Sequence, residues 1–184
     1  MRNAIVRSSM VVALGIVTAG LASAQGTAVT LTDTSQTTTL TALVSEQARI
    51  TVPASVTFNV TNTAAITNAA AAVTVTNITL ASATKQLQIS VVAGNLSFTP
   101  SVAGGTTWAS SDVSWDAVAF SNAGVGTAGA LAGVATYNIV QTCAVAVTDC
   151  STVNLPFHLA AKSTVNYAGS HTLTMTWKFA SIGA

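Results

Sequence analysis

From Thr172 to Phe179 the chain alternates without interruption, with Thr172, Thr174, Thr176 and Lys178 on one side and Leu173, Met175, Trp177 and Phe179 on the other. A period of two sends successive side chains to opposite faces, so this run predicts a strand with one apolar face and one hydroxyl-bearing face. The same period recurs upstream. "SVTFNVT" sets Val56, Phe58 and Val60 together, and "KQLQISVV" sets Leu87, Ile89 and Val91 opposite Gln86, Gln88 and Ser90. "TLTALV" does the same with Leu40, Ala42 and Val44, and less regular strands are predicted in "AAVTVTNITL", "ATYNIVQT" and "VNLPFHLA". The turn-rich stretches "TNTAAITNAAA", "SVAGGTT", "SNAGVGTAGALAG" and "AKSTVNYAGS" separate them. A helical period of 3.6 does not recur.

Short strands with one buried and one wet face, separated by turns, predict an all-β fold: a single antiparallel, immunoglobulin-like β-sandwich. A transmembrane barrel also alternates, but its strands carry aromatic girdles, and aromatic residues are only 5% of this chain. Residues 1–24 are read apart from the sandwich. A basic start at Arg2 and Arg7, the apolar run "MVVALGIVTAGLA" and the small-residue pattern "ASA" before Gln25 have the form of a cleaved secretory signal peptide. The expected organisation is therefore a signal peptide over 1–24, an extended N-terminal segment over 25–48 and the sandwich over 49–184. No membrane span is expected in the mature chain, and the protein is expected to be secreted, passing through the periplasm to a bacterial cell surface.

Charge sharpens this picture. Only 6% of the residues are charged, against about 25% in an ordinary soluble domain. Beyond the signal, Arg49, Lys85, Lys162 and Lys178 stand against Asp33, Glu46, Asp112, Asp116 and Asp149. Nucleic acid is excluded as a partner, because a polyanion needs clustered Lys and Arg. Cys143 and Cys150, in "CAVAVTDC", are expected to form a disulfide in an oxidising compartment. A zinc site would need two further ligands, and neither His158 nor His171 has a suitable spacing.

The residues that carry chemistry are few. No Gly-x-Ser-x-Gly elbow is present and neither histidine sits in a nucleophile motif, so the expectation is a protein that is not an enzyme and needs no cofactor or metal. "GVGTAG" fits Gly-x-Gly-x-x-Gly through Gly124, Gly126 and Gly129, but that motif needs a strand before it and a helix after it, whereas these flanks predict a loop. Asp112 and Asp116 in "SSDVSWD" could share calcium only with several further oxygens. The sequons at Asn59, Asn77 and Asn95 are expected by chance in so Thr-rich a chain.

"ARITVPASVTFNV" and the closing "YAGSHTLTMTWKFAS" resemble the opening and closing strands of secreted bacterial β-sandwich surface proteins: spore-coat-U-like and fimbrial pilin subunits, with a WxL-like C-terminal strand in Trp177-Lys178-Phe179. The disulfide lies late in the chain, where fimbrial subunits carry an early one. The resemblance implies a filament subunit whose N-terminal extension adds to an open sheet edge of the next molecule. Val29, Leu31, Leu40, Ala42 and Val44 in "GTAVTLTDTSQTTTLTALV" would supply the donor side chains. The alternative is that residues 27–44 form the first strands of their own domain.

Threonine fits this reading, since it favours strands and wets a surface without long charged side chains. Such a face packs against copies of itself or other surface polymers without desolvating charge, and edge-guarding Lys and Pro are scarce. The expected function is a secreted structural cell-surface protein, a fimbrial, filament or surface-layer subunit assembling through β-strand contacts. The alternative is a non-catalytic module that binds cell-wall glycan or other carbohydrate, with Trp108 and Trp115 as ligand-facing aromatics.

Overall fold

A computed structural model describes residues 38–122 and 124–183. The chain divides into two compact units, 1–42 and 43–184. Of the first, residues 38–42 are described; they are exposed and without regular secondary structure. The signal-peptide reading of 1–24 and the candidate donor residues Val29 and Leu31 lie outside the described residues.

The second unit is an antiparallel β-sandwich. Its strands are β1 (Gln47–Thr51), β2 (Thr67–Thr79), β3 (Gln86–Ala93), β4 (Val113–Trp115), β5 (Ala119–Phe120), β6 (Gly124–Val125), β7 (Gly129–Ala130), β8 (Asn138–Thr142), β9 (Thr152–Leu159) and β10 (Met175–Ile182). One sheet has the order β1-β2-β9-β4-β7 and the other β10-β3-β8, while β5 and β6 form a small ribbon. Every pairing is antiparallel. Among the described residues the only helix is a short 3₁₀ turn, Ser110–Asp112, and no helix is long and apolar enough to cross a membrane.

Alternation becomes burial. Ile89 and Val91 of β3, Val73 and Val75 of β2, and Leu155 and Phe157 of β9 meet between the layers. The parity of β2 flips once, since Ile78 is buried on an even number after Val73 and Val75 on odd ones. Asn77 explains the flip. Its φ is +53°, a left-handed conformation that Asn tolerates, and beside it the β1–β2 register shifts between Gln47↔Thr79 and Arg49↔Thr76. The strand predicted in "AAVTVTNITL" thus begins earlier and kinks within, and the alanine run read as a turn belongs to β2.

Cys143 and Cys150 are disulfide-bonded with Cα atoms 6.0 Å apart, and both are fully buried. Cys143 N–H donates to Leu87 C=O in the three-stranded sheet, and Cys150 N–H donates to Val75 C=O in the five-stranded one. The bond therefore staples the two layers through the core. On the same side the layers are also stitched through backbone, where Thr127 N–H, between β6 and β7, donates to Val140 C=O of β8 at 2.8 Å. The glycines of "GVGTAG" serve this passage. A Cβ on Gly126 would stand 2.9 Å from Val140 O, and one on Gly129 would stand 2.7 Å from the Trp115 ring.

Replacing both Cys143 and Cys150 by Ala is expected to lower the unfolding free energy by about 2–5 kcal/mol in urea titration. Adding reductant to the unsubstituted chain should move its midpoint the same way; an unmoved midpoint would show that the staple is not needed. Gly129→Ala forces its methyl against Trp115 and is expected to cost about 1–3 kcal/mol, with an altered tryptophan near-ultraviolet signal.

Candidate functional site

The sandwich has two long sides, and they differ. One, at β7 and β8, is stitched by residues 126–131. On the other, β1 and β10 are the outer strands of their sheets, and each pairs with a single neighbour among the described residues. On this side a groove of about 940 Å³ lies between the stretch that follows β1 and the segment that leads into β10.

One wall is the stretch after β1. Thr51 is the last residue of the β1–β2 ladder, paired with Thr74. Pro53 follows two residues later, without an N–H to donate, and the chain leaves β2 there. Val56, Phe58 and Val60 still alternate inward and pack half-buried against the core, as the sequence pattern predicted. No ladder accompanies them. Among the described residues the only backbone bond over 52–60 is local, Val60 N–H to Phe58 C=O. The sequence signals a strand here because side-chain alternation reports which face turns inward and says nothing about a backbone partner.

The opposite wall is Leu173, Met175 and Trp177, the inner face of the closing strand. Trp177 pairs with Val91 and Phe179 with Ile89 on the β3 side, and the outer edge of β10 has no ladder among the described residues. Trp108, Leu131 and Phe157 form part of the floor. The groove is thus apolar at its base, flanked on one side by residues 52–60, which join no ladder among the described residues, and on the other by β10, which is laddered to β3 alone.

Both ends are fastened. At one, Glu46 accepts from the Ala81 N–H at 2.8 Å and the Ser181 hydroxyl at 3.0 Å, with Lys85 Nζ at 3.6 Å. It thereby ties the approach to β1 to the end of β10. The Ala81 N–H, followed by the Ser181 hydroxyl, holds the Glu46 carboxyl below its ordinary range. At the other end Lys162 N–H donates to Thr63 C=O at 2.5 Å. Nearby, His171 places Nδ1 2.8 Å from the Thr107 hydroxyl and Nε2 3.0 Å from Tyr167 C=O, with its ring edge-on to Trp108 at 5.4 Å.

The expected ligand-facing role of Trp108 and Trp115 is corrected. Both are buried, 4% and 1% exposed, because each indole N–H finds a carbonyl inside the fold: Ala160 for Trp108 and Thr127 for Trp115. Leu40, Ala42 and Val44 are all exposed, and residues 38–46 join no strand. Asp112 and Asp116 have separate partners. Asp112 accepts from Ala109 N–H and Lys162, whereas Asp116 faces His158 Nε2 at 2.9 Å. The other nitrogen of His158 faces Asn68. No group of three or more metal-ligating side chains occurs among the described residues.

By its fold this is an antiparallel β-sandwich with one stitched side and one open seam. Comparison with known protein families, curated proteins and solved structures finds no match to the chain.

A depressed carboxyl stabilises the folded state above its unfolded pKa, and that contribution is lost as pH falls through the folded value. Thermal stability should therefore fall on acidification below about pH 4.5, the unperturbed range of glutamate. Glu46→Gln should flatten that part of the profile; an unchanged profile would show that the clasp does not contribute.

Proposed function

We propose that the protein is a secreted structural cell-surface protein, a fimbrial, filament or surface-layer subunit that assembles through β-strand contacts. The open seam carries this reading. A groove with an apolar floor, and on both walls a backbone edge without a ladder among the described residues, suits an extended strand, whose amides pair with the walls while alternate side chains enter the floor. The wall of residues 52–60 is long enough for a strand of about 5–6 residues.

The occupant is the N-terminal segment of a second copy. Leu40 and Val44 are 92% and 73% exposed, and with Ala42 they keep the alternation such a strand needs. Apolar side chains spaced by two and left in water gain by entering an apolar groove. A segment that leaves one subunit and fills the seam of the next makes a head-to-tail contact, which does not close and therefore builds a filament. The low charge of the surface supports the same reading, because close packing of subunits then desolvates few ions. A carbohydrate-binding module would need an aromatic platform, and the buried Trp108 and Trp115 do not supply it.

Negative-stain electron microscopy of material sheared from native cells, labelled with antibody to residues 25–184, tests the proposal. Labelled filaments are expected, and deletion of residues 27–44 is expected to leave labelled monomers. Bare filaments beside labelled monomers of the intact chain would overturn it. Leu40→Asp with Val44→Asp should abolish assembly without moving the thermal midpoint, since both side chains lie outside the core.

A further inference from the structure

The stretch of residues 52–60 lies beside two edges that carry no ladder among the described residues. One is the outer edge of β10. The other belongs to β2, which pairs with β1 only over 74–79 and has β9 alone as neighbour over 67–73. The stretch is anchored at each end and free of ladder bonds between. At its start Thr51 pairs with Thr74. At its finish Asn62 closes a turn, with Ala64 N–H donating to its Oδ1 and Ala65 N–H to its carbonyl, and Thr63 accepts from Lys162 N–H.

We propose that residues 52–60 are a two-position strap: peeled away from β2 while the seam is empty, and zipped onto the edge of β2 when an incoming strand fills the groove. This rests on the strand-assembly reading and adds how the groove is regulated. The register supplies the argument. Ile50↔Val75 and Thr51↔Thr74 are in step, and continuing that register sets Val56 opposite Ala69 and Phe58 opposite Thr67. Partners in an antiparallel pair share a face, and all four of these residues already turn inward. The strap can therefore zip without a slip, forgoing only the bond that Pro53, opposite Ala72, has no N–H to make, whereas a shift of one residue would turn Phe58 to solvent. The run that faces Pro53 to Val56 in this register, Ala69 to Ala72, is small and leaves room for Val56.

The peeled position also has a reason to exist. Val56, Phe58 and Val60 cover part of the apolar floor, which an empty seam would otherwise expose. A strand arriving from a second copy covers that floor itself. The strap then gains more from ladder bonds to β2 than from leaning over the groove.

Outward-facing cysteines test the register. In the full chain, Ser55→Cys with Ala70→Cys forms a pair directly opposite when the strap is zipped, and Ser55→Cys with Ala72→Cys forms one out of step. The probe is a synthetic peptide of residues 27–45, its binding followed by fluorescence anisotropy. If the zipped form is at most about 10% populated without peptide, peptide should accelerate crosslinking of the in-register pair about tenfold. The out-of-step pair should not respond. On the unsubstituted chain the amides of residues 54–58 should exchange more slowly once peptide is bound, which keeps the test independent of the cysteine variants. Peptide that binds while crosslinking and exchange stay unchanged would overturn the strap and leave strand assembly standing. Equal acceleration of both pairs would overturn the register, and failure of the peptide to bind would overturn both proposals.

Discussion

Backbone pairing is the constraint on which this sandwich depends. Each N–H and C=O along a strand needs a partner, and an edge that lacks one is a template for another strand. On the side of β7 and β8 the requirement is met within the chain, because residues 126–131 pass between the layers and the Thr127 amide reaches Val140. On the side of β1 and β10 it is not met among the described residues. Pro53 removes a donor just where β1 would have continued along β2, and the ladder ends there. The groove, its two walls and the exposed approach to β1 all follow from that break.

Side chains and one covalent bond hold what backbone bonds do not. The layers meet through Val73, Ile89, Trp115, Leu155 and Phe157, and the Cys143–Cys150 bond joins them from within. Its location matters more than its loop length. Anchored by amides to Leu87 of β3 on one sheet and Val75 of β2 on the other, it fixes the spacing of the layers from inside the core. The seam opposite can then stay open without the sheets drifting apart. Glu46 at one end and the Lys162–Thr63 contact at the other limit how far it opens.

Much of this fold was legible from period two. β3, β9 and β10 overlap the runs that predict them, because each is flanked by turns and turns an apolar face inward, although Ser90 and Val92 on the other face of β3 are buried too. The start of β2 was not legible, since four alanines carry no contrast between faces. Residues 52–60 misled in the opposite sense, as Val56, Phe58 and Val60 alternate like a paired strand while the backbone stands alone. Pro53 was the available signal. Trp108 and Trp115 misled because loop neighbours suggest exposure, and only the fold shows Ala160 and Thr127 receiving their indole protons. Glu46 had no signal at all, for its partners at 81, 85 and 181 are brought to it by the closing of the sandwich.

The exposed side chains of β10 are Thr176 and a single Lys178, with Thr174 just before it, and the chain as a whole is wetted by hydroxyls and amides. Dissolved salt acts on exposed ion pairs by shortening the reach of each charge, to about 8 Å at physiological ionic strength. A surface with so few charges gives salt little to act upon. Its solvation, and its contacts with neighbours, belong to a molecule whose behaviour changes little between dilute and saline water.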